Sequence, residues 1–565
     1  MRVNPILNTF LVSKVNNTRK LSAPKIRSAQ TDSVSFSSKY KTQKLNVDWE
    51  TAKLVTTSLS TSTSGHRAKY NSEVFNEDIV KMLTLGVADY AKEEASKHYP
   101  QRPPMVLIGG DARTATKESL PIINDTLLKQ GIEVIYIPEP ISTPALAMSA
   151  KYYQADATIL MTASHNPWED GGYNLITNDG AIAPKEVTQK VASYALAHAK
   201  IGHYKEFKKP FVHTSAVSIE MYPYKAYKNL IDSHKIIDWE NIKNSGLMIY
   251  YDGLKGAGCN LVPRLLKDKE VPFINIVSNG QIGPNPTKEN LVELAKATKN
   301  SPNALKIGLS NDGDADRFGV IDENGNFVST NDVLLLATYH LAKNRGLEGT
   351  ILRSHSTSSQ IDEIAQAYQM PLEVTPVGFK YIGEEILNIR KSKNDILIAG
   401  EESGGFTIKS HVPEKDGILA ILIIADLVAQ EGKPLSEILA DIKNELKNSY
   451  KTKSINKRLE SDTQKEIIIS QARKVYNDAL KGDRDFGEFK IDIEKTEQHQ
   501  KNMESYKLGG DGVKLFFEDG SSVLIRSSGT EPLIRYYIEA IDENPALAQE
   551  KLAKIEKAMT EIFNS

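Results

Sequence analysis

The sequence predicts an α/β chain of three related mixed-sheet units followed by a smaller α+β unit. Two patterns carry this expectation. From about Trp49 onward, short apolar runs of strand length alternate with longer segments of helical spacing. Strands alternating with helices imply mostly parallel sheets covered on both faces. The length of 565 residues adds that one core is too few, since domains usually hold about 100–200 residues.

Taken in order, "MVLIGGD" (105–111), "IEVIYIP" (132–138) and "ATILMTAS" (157–164) read as buried strands of a first unit, with helical spacing over 117–130. Residues 247–258 open a second unit as a strand and a Gly-rich turn, followed by a helix through Leu265. Within that unit 305–322 is strand, acidic loop, strand. A third unit has strands at 349–356, 371–378 and 395–402 with helices between. The polar stretch 444–459 reads as a linker. Two strands in 512–528 turn at Asp519-Gly520, and a helix covers 545–563. The expected organisation is a disordered extension at 1–47, α/β units at 48–240, 241–326 and 327–450, and an α+β unit at 451–565.

Composition excludes several function classes. Apolar residues make up 40% and charged residues 25%, and the formal net charge is -2, so no overall field points to nucleic acid or anionic lipid. The longest apolar run, "ILAILIIA" (418–425), is bounded by Asp416 and Asp426 and falls far short of the ~20 residues a membrane helix needs. One cysteine, Cys259, permits no intrachain disulfide and fits a reducing compartment. The first 46 residues hold nine Lys/Arg against the single acid Asp32. They read as a solvated extension, with an organellar transit peptide as the alternative. The expectation is a cytoplasmic protein with a small-molecule partner, without nucleic-acid or membrane partners, and either a monomer or a weak homodimer.

Four loops at strand ends, where ligands collect in such sheets, carry unusual residues. Ser164-His165-Asn166-Pro167 offers a hydroxyl for attack and donors for a phosphate, although alone it also reads as an ordinary turn. In "NDGDADR", Asp312, Asp314 and Asp316 alternate, so an extended loop sets three carboxylates on one side. Three like charges this close need a cation, and oxygen-only ligands suit Mg²⁺ rather than Zn²⁺. An EF-hand is excluded because Arg317 stands where that loop requires Gly and strands rather than helices flank it. Arg317 can neutralise the acids or grip an anion. "GEESGGF" (400–406) places Glu401 and Ser403 where sugar hydroxyls could be held. "RSSGTEP" (526–532), with Arg535 beyond it, offers an anion nest with hydroxyls. "TSTSGHRAKY" (61–70) and "TPVGFK" (375–380) add His66, Arg67 and Lys380. A nucleophile, a hard-metal site, a sugar loop and a phosphate nest are together the parts that phosphoryl transfer on a sugar phosphate requires.

In that order "TASHNP", "DGDADR", "GEESGG" and "RSSGTEP" resemble the active-serine, metal, sugar and phosphate loops of the α-D-phosphohexomutases, and "TSGHR" and "TPVGFK" resemble two further segments of that family. The resemblance runs from about Thr56 to the C-terminus. It implies four domains around a central cleft. Ser164 would carry a phosphoryl group, and one Mg²⁺ would be held by Asp312, Asp314, Asp316 and an oxygen of that phosphate. Phosphate would move between C1 and C6 of a hexose through a hexose 1,6-bisphosphate, which also serves as activator. Glu401 and Ser403 would hold ring hydroxyls, and Arg526, Ser528, Gly529 and Thr530 the other phosphate. Arg317, Thr375, Gly378 and Arg535 complete the substrate-binding set.

The sugar loops resemble glucose- and mannose-type members more than amino-sugar ones. A glucosamine- or pentose-phosphate mutase and a non-catalytic sugar-phosphate binder stand as alternatives. The sequence departs from the family at two places: Ala68 stands where Gly is common, and Asn174 stands where a lysine is common. An amide takes up no proton as an amine does, so the general acid and base are sought among His66, Arg67, Lys380 and His165.

Overall fold

The computed structural model describes residues 47–62, 65–206, 218–220, 223–278, 283–505, 512–527 and 533–563. The expected extension at 1–47 lies outside these apart from Val47.

The first sheet is built from β1 (His66–Lys69), β2 (Met105–Gly110), β3 (Glu133–Tyr136), β4 (Ala157–Met161), β5 (Asp170–Ile176) and β6 (Ser218–Glu220), in the order β1-β5-β4-β2-β3-β6. The second contains β7 (Met248–Asp252), β8 (Phe273–Asn275), β9 (Lys306–Asn311), β10 (Phe318–Ile321) and β11 (Phe327–Val328), in the order β11-β10-β9-β7-β8. The third contains β12 (Thr350–Ser354), β13 (Leu372–Thr375), β14 (Ile396–Gly400) and β15 (Phe406–Ile408), in the order β13-β12-β14-β15.

These three sheets share one core topology. Three parallel strands are joined by helical crossovers, and the last of them turns back into an antiparallel neighbour: β4 into β5, β9 into β10, β14 into β15. The serine, acidic and sugar loops are those three turns. Each leaves the carboxyl end of a central parallel strand, so one architectural position is used three times.

Burial follows from composition. The helix Gly417–Glu431 is apolar on all sides, and residues 417–429 are all buried. It joins a core that takes in Leu107 and Ile135 of the first sheet, Ile249 and Ile307 of the second and Ile351 and Ile398 of the third. The run "ILAILIIA" is therefore the centre of a packed protein core, and no described helix is long and apolar enough to cross a membrane.

The fourth sheet has β16 (Ser449–Arg458), β19 (Val513–Phe516), β20 (Ser522–Ser527) and β21 (Leu533–Asp542), in the order β16-β21-β20-β19, with a two-stranded ribbon of β17 (Asp485–Phe486) and β18 (Phe489–Lys490) beside it. The expected linker over 444–459 is thus corrected: most of it is β16, an edge strand paired with β21 over ten residues. Its side chains are polar because it is half-exposed to exposed along its length. An edge strand with lysines has no buried face to mark it as a strand, and the lysines discourage further pairing. The expected boundary at 450/451 falls inside it.

Backbone contact is closest where the serine loop leaves β4. A Cβ on Gly172 would lie 1.9 Å from the carbonyl oxygen of Thr162. Gly172→Ala is expected to destabilise the fold by about 3 kcal/mol, read as a lower denaturant midpoint with an unchanged slope.

Candidate active site

Ser164 stands at the head of the β4–β5 turn, with φ +51°, a left-handed conformation that a residue with a side chain rarely adopts. It is buried. Its Oγ donates to Asp312 Oδ2 at 2.9 Å and lies 3.2 Å from His165 Nδ1. The serine and acidic loops meet backbone to backbone, since a Cβ on Gly313 would stand 2.6 Å from Ser164 O. Glycine is required there for approach.

Asp312, Asp314 and Asp316 each present a carboxylate oxygen, and these oxygens lie within 4.8 Å of one another. All three are buried. Burial and the neighbouring aspartates push Asp312 well above the usual carboxylate range, and Asp314 is raised for the same reasons. Burial also opposes ionisation of Asp316, but Lys415 and Arg317 hold it below its ordinary value. Two of the oxygens, Asp314 Oδ1 and Asp316 Oδ1, are buried without a hydrogen-bond partner. Buried carboxylate oxygens aimed together without donors match the ligand set of a hard divalent cation.

Two residues that the sequence did not single out complete this cluster. Thr143, at the start of the helix Thr143–Tyr153, donates its Oγ1 to Asp314 Oδ2 at 2.6 Å and its N–H to Asp314 O at 2.9 Å. Lys415 donates through Nζ to Asp316 Oδ2. Asp316, and Glu414 beside it, help raise this buried ammonium above its ordinary value against the opposing effect of burial. Its neighbour Asp416 caps the helix Gly417–Glu431 through Leu419 N (2.9 Å) and accepts Tyr227 OH (2.7 Å) and His411 Nε2 (2.9 Å). A lysine directly before a capping aspartate, in "HVPEKDG", was the available signal.

His165 is pushed well below its ordinary value, first by Arg317, then by burial and by Arg67 and Lys415, so its ring is neutral. Arg67 on β1 faces the same site: burial lowers it, and its strongest charged neighbours are Asp314, Arg317 and Asp316.

His66 does not join this group, which corrects its expected role as a proton carrier. Its ring stacks on Phe75 with centroids 5.6 Å apart. Nε2 meets Val74 O at 2.7 Å and Nδ1 meets Ser58 Oγ at 3.1 Å, so both nitrogens are engaged inside the first unit. Strand alternation sends Arg67 to the site and His66 to the core.

Asn174 is also explained. On β5, opposite Leu160, it donates Nδ2 to Thr162 O at 2.8 Å. Gly65 lies against it, so close that a Cβ there would stand 2.5 Å from Asn174 Oδ1. The amide braces the end of β4, a structural contact in place of proton transfer.

In the third unit, Glu401 is buried, accepts Gly378 N at 2.7 Å and lies 3.4 Å from Ser403 Oγ. Burial and the adjacent Glu402 raise it to about 7. Glu402 turns away to Ser356 Oγ at 2.6 Å. The sugar loop touches the acidic one, since Gly404 packs on Arg317. Thr375 is buried at the end of β13, its Oγ1 donating to Pro376 O at 3.1 Å. Lys380 stands on the first turn of the helix Phe379–Lys391, 4.8 Å from the Tyr381 ring centroid. In the fourth unit, Arg526 and Arg535 oppose each other across β20 and β21. Tyr537 beside them is raised to about 12 by burial and by Glu402. Ser528, Gly529 and Thr530 lie outside the described residues.

Family models match all four units. They are the α/β/α domains I, II and III of phosphoglucomutase/phosphomannomutase, over 58–201, 225–325 and 329–445, and the C-terminal domain of the same proteins, over 487–557. A probable phosphoglucosamine mutase of Methanosphaera stadtmanae is 30% identical across 89% of this chain and 98% of its own. The chain belongs to the phosphoglucomutase/phosphomannomutase family. It is accordingly an enzyme of the mutase, and hence isomerase, class. A phosphoglucomutase/phosphomannomutase of Thermococcus kodakarensis is 29% identical over 86% of this chain and 95% of its own. Among solved structures, the open form of the Paramecium phosphoprotein pp63/parafusin shares the family fold, with TM-score 0.69 at 21% identity over 89% of this chain and 94% of that one.

The Glu401 environment sets a pH dependence. Its folded value of about 7 lies above the unfolded value of 4.5, so the fold favours the protonated form. That contribution is whole below about pH 4.5 and is lost as pH rises to about 7. Glu401→Gln, permanently neutral, is expected to gain roughly 2–3 kcal/mol on the wild type between pH 5 and pH 8. Urea unfolding of both proteins at the two pH values measures the gap.

Proposed function

We propose that the chain interconverts hexose 1-phosphate and hexose 6-phosphate, with Ser164 as phosphoryl carrier and a hexose 1,6-bisphosphate as intermediate and activator. Glucose phosphates are the preferred substrates and mannose phosphates the second. The observation that carries this is the 2.9 Å contact between Ser164 Oγ and Asp312 Oδ2, inside a cluster of three buried carboxylates ringed by cations.

The chemistry follows from the residues. One Mg²⁺, held by Asp312, Asp314 and Asp316, would neutralise charge developing on the transferring phosphoryl group. Asp312 accepts the Ser164 hydroxyl, and neutral His165 flanks it, so the nucleophilic oxygen is held in one place. Arg67 and Arg317 bring fixed positive charge to the phosphoryl oxygens. Lys415, kept protonated beside Asp316, adds a further fixed positive charge beside the transferring group. Glu401 and Ser403, with Gly378 and Thr375 behind them, hold ring hydroxyls. The pair Arg526 and Arg535, with Ser528, Gly529 and Thr530, takes the phosphate that is not transferred. Lys380, on the third unit, contacts the sugar-phosphate rather than Ser164.

An amino-sugar substrate is the second reading, favoured by the phosphoglucosamine mutase name of the Methanosphaera relative. Initial rates with glucose, mannose and glucosamine 1-phosphates, each primed with its bisphosphate, decide between them.

Ser164→Ala is expected to abolish turnover, at least ~10⁴-fold, while leaving the fold intact. Substantial mutase activity in that variant would remove Ser164 from its role. Mg²⁺ added to chelator-treated protein is expected to raise Tm by several degrees, because it binds only the folded state. Asp314→Asn is expected to blunt that rise, as seen by differential scanning fluorimetry.

A further inference from the structure

Arg113, in the loop after β2, is among the largest fully buried side chains of the described residues. A buried guanidinium needs a partner for its charge and acceptors for its five N–H groups. Its Nε donates to Asp111 Oδ2 at 2.8 Å. Its two terminal nitrogens spread over four carbonyl oxygens of the serine loop. One donates to Asp170 O at 3.2 Å and to Pro167 O, the other to Asn166 O at 2.8 Å and to Ser164 O. The Trp168 ring lies 5.3 Å from the guanidinium carbon. Asp111 in turn accepts Thr162 Oγ1 at 2.6 Å and Thr116 Oγ1 at 2.8 Å. Thr162 Oγ1 then accepts the N–H of Ser164 at 2.8 Å.

Both backbone polar groups of Ser164 are thus gripped: its N–H through Thr162 and Asp111, its carbonyl by Arg113. A left-handed backbone at a residue with a side chain costs on the order of 1–3 kcal/mol and persists only when its surroundings over-determine it. This network is that surrounding. We propose that Arg113 and Asp111 are positioning residues for phosphoryl transfer, holding Ser164 in its left-handed conformation so that Oγ is presented to Asp312. They act through the loop backbone and do not touch the hydroxyl. The inference rests on Ser164 being the phosphoryl carrier. Lysine keeps the charge at position 113 but cannot reach four carbonyls, so charge and positioning are separable.

The test uses the full chain as wild type, Arg113→Lys and Thr162→Val. Three quantities are measured: the rate at which Ser164 takes up phosphate from glucose 1,6-bisphosphate, by intact mass and peptide mapping; kcat and KM for glucose 1-phosphate; and Tm. Arg113→Lys is expected to slow phosphate uptake and kcat on the order of 100-fold, with KM changed less than about threefold. Thr162→Val keeps the shape and removes only the link between Asp111 and the Ser164 N–H. It is expected to slow both rates about tenfold with little change in Tm, and it decides the matter should Arg113→Lys fail to fold. Wild type that takes up no phosphate at Ser164 overturns the phosphoryl-carrier reading. Wild type that does, with folded variants phosphorylated at the same rate, overturns the positioning role alone.

Discussion

The site depends on three carboxylates held in one buried place. Asp312, Asp314 and Asp316 repel one another, and burial removes the water that would screen them. The protein offsets this with charge and hydrogen bonds drawn from elsewhere in the chain. Arg67 comes from the first sheet, Thr143 from a helix beside that sheet, Arg317 from the acidic loop itself, and Lys415 from the loop before the central helix. Satisfying one loop in this way ties the first three units together at the point where the chemistry is proposed to occur.

The repeated topology makes such convergence possible. Each of the first three sheets ends its parallel run in an antiparallel return, and the loop at that return is the one proposed to carry function. A rigid central strand fixes where each loop starts, and the return strand fixes where it ends. Side chains on such a turn are placed by two strands rather than by one flexible connection. The apolar helix Gly417–Glu431 then packs into the core that joins the three sheets and carries Lys415 at its N-terminal approach.

Several features were legible in the residues. The strand–helix alternation and the placing of the serine, acidic and Glu- and Gly-rich loops at the ends of parallel strands follow from periodicity and charge. Others were not. β16 reads as a polar linker because an edge strand shows no buried face. His66 and Arg67 are neighbours in sequence, and only the strand's alternation sends one to the core and the other to the aspartates. Asn174 looks like a lost lysine until its amide is seen donating to the Thr162 carbonyl at the end of β4.

What the sequence determined by itself is the residue types of the parts: a serine, three alternating acids, a Glu- and Gly-rich turn and a Ser-, Thr- and Arg-rich stretch, each following a strand-like run. Local pattern suffices for these because the residue types and their short spacing are the signal. What only the tertiary structure decided is which groups from distant segments complete them. Thr143 lies 171 positions from Asp314, Lys415 lies 99 from Asp316, and Arg113 lies 51 from the Ser164 carbonyl it grips. No local pattern encodes those pairings, because they form only where separate strands are brought into one core.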